Sequence, residues 1–336
     1  MIALTWSGLF EPLKRVMALL VLLIIVGTFL VAYETWPGIS AVVRGLIPFP
    51  TPAMPDWMHA GSSIERSSWS EIVPLLGWAA GGFASQVWYT YWVLGAGYGM
   101  AHNRGYGAPL DKARLRTVSP EEAQCVLAWR RMVTVDATVA LIIGVSVTSA
   151  FMIAGSGVLR PMKIAPDGEE VATTLSLIFG QRWGETGAYL FLIAGLAAML
   201  STMLGQFAGW PRLLADCARV LFPAVSRWSW KTQFRSILTL YALSNMVIVY
   251  WLGLKPVILV QLGALLDGLL LTPLQAFAVG LGLYYVMPTF FAEEVRPIIR
   301  AHKTLAFGLA LAFVVFGYFC IVQIPNVVRE TIQKLT

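Results

Sequence analysis

GWAAGGFASQVWYTYWV, residues 77–93, is the stretch on which the reading of the fold turns. It begins unlike a passive membrane helix. Gly77, Gly81 and Gly82 lack side chains and Pro74 lies just upstream, so the backbone is free to bend, unwind or admit another backbone closely. An unwound turn at bilayer depth frees carbonyl groups. Those are tolerated only inside protein or beside a wet cavity, where they can ligate a cation. Ser85 and Gln86 follow and add oxygens. Close helix packing is the plainer use of the same residues, with Ser85 and Gln86 satisfying each other or a neighbouring backbone. The aromatic run Trp88, Tyr89, Tyr91 and Trp92 reads as an interfacial anchor.

Outward from this stretch the composition is that of a membrane protein. Of 336 residues, 57% are apolar and 12% charged, with a mean hydropathy of +0.70; an ordinary soluble domain carries about 25% charge. Charge-free windows at 16–33, 137–159, 186–211, 236–254 and 304–328 are each long enough to cross hydrocarbon as a helix. The expected architecture is therefore an all-α polytopic membrane protein. It is read as a single transmembrane domain over residues 1–336 with about seven crossings, near 14–33, 72–94, 133–153, 187–209, 236–252, 257–281 and 304–325. The sixth is the least marked, because residues 256–292 hold a single charge, Asp267.

Counting Lys and Arg on alternate sides of those seven gives sixteen against eight. By the positive-inside rule Met1 is expected in the cytoplasm and Thr336 outside, in a cell membrane of the bacterial inner-membrane kind. Lys14 and Arg15 ahead of an apolar segment admit a signal sequence, but no small-residue cleavage pattern follows Tyr33 and the chain stays membrane-like. Residues 47–57, IPFPTPAMPDW, and 155–170, GSGVLRPMKIAPDGEE, read as external loops.

The same residues exclude several function classes. The net charge of +6 is spread over short loops, which fits orientation in a bilayer and not nucleic acid. Cys125, Cys217 and Cys320 lie far apart and read as packing residues. No HExxH, Walker loop or dinucleotide fingerprint occurs, and His59, His102 and His302 fall in loops, so no enzyme is expected.

Two carboxylates lie in or near hydrocarbon. Asp267 sits inside VQLGALLDGLLLTP, where an ionised carboxylate costs at least ~2.5 kcal/mol unless a cavity or partner compensates. It can relay a proton, neutralise a cation, or be a protonated or paired structural residue. Asp136 lies nearer the cytoplasmic interface, with Arg130 or Arg131 as candidate partners. Ser201 and Gln206, in STMLGQFAG, form a second small, polar stretch suited first to packing and then to a polar path. Glu293 and Glu294 beside Arg296 read as a cytoplasmic cap or gate contact.

Taken together these segments resemble the later spans, from about the fifth onward, of the natural-resistance-associated macrophage protein (Nramp) divalent-metal transporters. The resemblance rests on FEPLKRVMALLVLLIIV (10–26), WYTYWVLGAGYGM (88–100), AMLSTMLGQFAGWPRLLAD (198–216), Gln261 and MPTFFAEEVRP (287–297). It implies the C-terminal part of a LeuT-type inverted-repeat fold, and proton-coupled symport by alternating access around a broken helix. In that register Ala80 supplies a backbone carbonyl, and Gly81, Gly82 and Phe83 stand where the family carries its MPH motif. Loss of the methionine sulfur moves the preference toward a harder ion such as Mg, with Mn the alternative cargo. Gln261 matches a tenth-span Gln, and Asp267 falls near another family Gln. The implied metal set is Ala80, Gly81, Gln86, Gln261 and Asp267, and the implied gating or proton path is Asp136, Asp267, Ser201 and Gln206. The family's DPGN turn has no counterpart here. The lipid bilayer aside, the implied partner is a separate N-terminal transporter half or a second copy of the chain; the other reading is a truncated or nontransporting membrane scaffold lacking the first metal-binding span.

Overall fold

In the computed structural model the described residues are 11–45, 54–59, 68–79, 82–95, 97–98, 106–107, 110–166, 170–253, 256–322, 324–325 and 329, and their regular structure is helical. The helices are α1 (Glu11–Glu34), α2 (Ile39–Gly45), α3 (Asp56–His59), α4 (Ser68–Ala79), α5 (Phe83–Gly95), α6 (Lys112–Arg116), α7 (Pro120–Leu159) and α8 (Val171–Leu221). A short 3-10 turn leads to α9 (Trp230–Leu252), then α10 (Pro256–Gly263), a π-helical turn (Ala264–Leu270) and α11 (Leu271–Leu281). A second π turn (Gly282–Val286) and a 3-10 turn (Met287–Phe290) precede α12 (Arg296–Ile299) and α13 (Lys303–Val322).

Local chemistry sets several of these boundaries. Before α7, Ser119 Oγ accepts the Glu122 N–H at 3.2 Å while Glu122 Oε2 accepts the Ser119 N–H at 3.1 Å, a reciprocal capping box that satisfies two orphan donors. Asp111 caps α6 by accepting the Arg114 N–H at 2.9 Å, and Ser229 Oγ accepts the Thr232 N–H at 3.1 Å at the start of α9. Within α8, Gly184 at φ +61° breaks the regular path.

The expected count of seven crossings does not hold. Among the described residues four helical runs are long and apolar enough to cross a membrane: Pro120–Leu159, Val171–Leu221, Val257–Phe290 and Lys303–Val322. A fifth arises only if Ala18–Glu34 and Ile39–Gly45, bent by 109° at their junction, count as one span. The reasons differ by segment. The expected second span is two helices of 12 and 13 residues with the non-helical Gly82 between them, each too short alone. α9 has the length, at 23 residues, but Lys231, Thr232, Gln233, Arg235, Thr239, Ser244 and Asn245 dilute its apolar character. Of the two expected outer loops, residues 47–53 and 167–169 lie outside the described residues, Asp56 opens α3, and α7 continues helical to Leu159.

The chain divides into two compact units: Met1–Ser68 with Thr138–Ala208 and Ala242–Leu259, and Trp69–Ala137 with Gly209–Tyr241 and Val260–Thr336. In the first, Ile24 and Val31 of α1 pack with Ala150 and Ala154 of α7 and with Ile178, Phe179 and Phe191 of α8. Gly27 makes room for the Phe179 ring, since a Cβ there would lie 2.3 Å from it. In the second, Val73 of α4 packs with Leu265 and Leu269 of the π turn, flanked by Trp69, Phe316 and Phe319. The outward faces stay apolar: none of the apolar window of α13 is buried. That surface suits lipid, and the protein is membrane-embedded through several apolar helices.

Candidate functional site

The site lies in the second unit and is assembled around the break between α4 and α5. α4 ends at Ala79 and α5 begins at Phe83; Gly82 between them has φ +62°, a left-handed conformation that glycine adopts without a Cβ penalty. A new helix start leaves backbone N–H groups without intrahelical partners. One is met from another helix, because Asp267 Oδ1 accepts the Ala84 N–H at 3.0 Å. Asp267 Oδ2 lies against Gly82, 2.5 Å from where a Cβ would stand. Ser85 Oγ donates to the Gly82 carbonyl at 2.9 Å, completing the turn. The half-buried carboxyl group is thus an N-cap supplied in trans, placed at the positive end of the α5 dipole.

The helix that carries Asp267 is itself irregular, for a traceable reason. Pro273 has no N–H to give the Leu269 carbonyl four residues back. The Cys320 thiol of α13 donates to that carbonyl instead, at 3.3 Å, and Thr272 Oγ1 donates to the Gly268 carbonyl. The widened turn Ala264–Leu270 sits in this region, and such π turns occur often at functional sites. Gly268 and Gly77 let two backbones approach closely. A Cβ on Gly77 would lie 2.1 Å from the Ala264 carbonyl oxygen, and one on Gly268 would lie 2.0 Å from that of Gly77.

The expected site residues divide. Asp267, Gly82 and Ser85 meet at the break, whereas Gln86, one turn further along α5, accepts a hydrogen bond at Oε1 from Gln275 Nε2 of α11 at 2.8 Å. Gln261 lies on α10, six residues ahead of Asp267 and half-buried. Ala80 and Gly81 lie outside the described residues. Asp136 accepts a hydrogen bond from Tyr89 Oη at 2.6 Å, and among the described residues neither Arg130 nor Arg131 pairs with it. Ser201 and Gln206 lie on the part of α8 that belongs to the first unit, where Ser201 Oγ donates to Ala198 O of its own helix at 3.1 Å. Glu293 makes a long, exposed contact to Arg296 at 3.8 Å.

The aromatic run of α5 is more than an interfacial anchor. Tyr91 Oη donates to Asp216 Oδ2 at 2.8 Å, and the Trp88 ring covers Gly209, where a Cβ would stand 2.5 Å away. The Arg212 guanidinium lies 4.9 Å from the Tyr106 ring, 5.2 Å from Phe234 and 5.9 Å from Trp92. The available signal was Arg212 and Asp216, one turn apart in WPRLLAD, facing a Trp- and Tyr-rich helix.

Among the described residues no three His, Cys, Asp or Glu side chains group as a metal cluster. The side-chain oxygens that meet at the break are the Asp267 carboxylate and the Ser85 hydroxyl, both hard ligands for a cation. Comparison with protein-family models, with curated proteins and with solved structures finds no match.

Proposed function

We propose that the chain is a divalent-cation transporter, or a component of one, whose ion path passes the break between α4 and α5. One observation carries this reading: the Asp267 carboxylate, inside the membrane-length run Val257–Phe290, faces the interrupted backbone and caps the second half-helix through Ala84. Intramembrane acids are costly and most often mark ion or proton paths. The N–H end of α5 repels a cation, so the ion would sit on the other side of the carboxylate, toward the carbonyl end of α4. Oxygen ligands favour Mg or Mn over softer metals. Release of the ion returns Asp267 to Ala84, and a proton taken up by the carboxylate would weaken both bonds, which is one route to symport. The substrate class draws on the similarity to Nramp transporters at the segments quoted above.

The experiment is uptake of Mn2+ or Mg2+ into vesicles reconstituted with the full chain and anything that co-purifies with it. Cation-dependent uptake above protein-free vesicles is expected, and its absence for both ions overturns the reading. A second reading, a nontransporting membrane scaffold, is favoured by the same hydrogen bond, because a cap alone can account for a charge at this position.

A further inference from the structure

α11 and α13 pack side by side and antiparallel: Phe277 lies against Phe313 with ring centroids 6.2 Å apart, while the later Tyr284 donates through Oη to the earlier His302 carbonyl at 2.6 Å. Between them lies a cavity of about 590 Å³, within the roughly 300–1,000 Å³ usual for small-molecule sites. Its walls are apolar, formed by Phe277, Gly280, Leu309, Ala310 and Phe313. Phe277 is 60% exposed and Phe313 45%, so the cavity opens outward, where these two membrane-length runs meet hydrocarbon. At the end where Tyr284 and Tyr285 stand, the lining changes character: Arg300 contributes the one charge among the described lining residues. Arg300 is exposed, and among the described residues no carboxylate pairs with it; the nearby Glu293 is with Arg296.

We infer that this cavity binds an anionic phospholipid, with the phosphate on Arg300 and an acyl chain along the α11–α13 walls. Charge complementarity decides the headgroup. A guanidinium presents parallel N–H donors matched to a phosphate, and no lining carboxylate is available to hold the ammonium of a zwitterionic lipid. The strongly exposed Tyr285 phenol stands at the same end, with an apolar ring and a polar tip suited to the headgroup boundary. The apolar walls distinguish a lipid from free phosphate, which would leave them unfilled.

The test uses the full chain in neutral detergent, titrated with phosphatidylglycerol and with phosphatidylcholine of identical acyl chains, bound lipid being counted by native mass spectrometry. Phosphatidylglycerol is expected to bind about fivefold more tightly, the effect of one basic side chain near a lipid surface. Arg300→Gln should reduce that preference to about parity while still binding both lipids. Ala310→Phe should fill the cavity and lower binding of both. Gly280→Leu serves as the second filling variant, since a Cβ there meets Leu309 at an ordinary 3.9 Å. Equal binding of the two lipids by the unaltered chain, an unchanged preference in Arg300→Gln, or a filling variant that loses a second copy of the chain and not lipid would each overturn the inference.

Discussion

Gly82 and Asp267 are the pair on which the break depends, and they respond to substitution in opposite ways from ordinary membrane residues. Gly82→Ala places a Cβ at φ +62° and 2.5 Å from the Asp267 carboxylate. The left-handed conformation alone costs about 1–2 kcal/mol for a residue with a Cβ, and the contact adds to it. Gly144→Ala, in the middle of α7 with nothing within 4 Å of its Cβ, should instead be neutral or gain up to about 1 kcal/mol. Thermal unfolding in detergent checks the pair, and a Gly82→Ala protein as stable as Gly144→Ala would contradict the geometry. At this scale the sequence was informative about which residues matter and silent about their partners. An acid in an apolar run and a cluster of glycines are visible as letters. The bond between them joins a carboxylate to a backbone N–H 183 residues away, and a backbone donor leaves no trace in composition.

Among the elements, α4 and the π turn are held at backbone contact by Gly77 and Gly268. Adding a methyl at either meets a carbonyl group that cannot move aside as a side chain can. Gly268→Ala is therefore expected to cost about 1–3 kcal/mol, the usual range for overpacking. It should also raise hydrogen exchange at the Ala84 amide as Asp267 is carried away from it. A stable Gly268→Ala protein with unchanged exchange at Ala84 would show that the two helices are not in register as described. The expected third, fourth, sixth and seventh spans coincide with parts of α7, α8, the 257–290 run and α13. Of the other three, the second and fifth do not qualify, and the first counts only as one arm of the bent pair Ala18–Glu34 and Ile39–Gly45. A window of apolar residues measures affinity for hydrocarbon and carries no information on whether the helix continues through Gly82, or bends at residues 35–38. Pro273 illustrates the same limit: its letter predicts a lost hydrogen bond, yet only packing reveals that Cys320 replaces the donor.

For the whole molecule the governing fact is an apolar surface of several membrane-length helices. A lipid-soluble carbene reagent should label α13, whose apolar window is 0% buried, far more heavily than Ile178 and Phe179, each 1% exposed. Labelling of Ile178 and Phe179 equal to that of α13 would contradict the packing. Membrane character was legible in composition because the bilayer acts on every residue of a span. The proposed function was less legible, because it rests on a single carboxylate, which caps α5 and would suit an ion ligand equally well. Asparagine separates those two uses, since its amide oxygen still caps α5 while its charge is gone. The most direct measurement compares Mn2+ uptake and thermal stability for the unaltered chain, Asp267→Asn and Asp267→Ala in the same vesicles. The transport reading predicts that Asp267→Asn keeps its stability and loses uptake, while Asp267→Ala loses uptake and about 1 kcal/mol of stability as well. Uptake by Asp267→Asn at the unaltered rate would contradict it and leave Asp267 a cap alone.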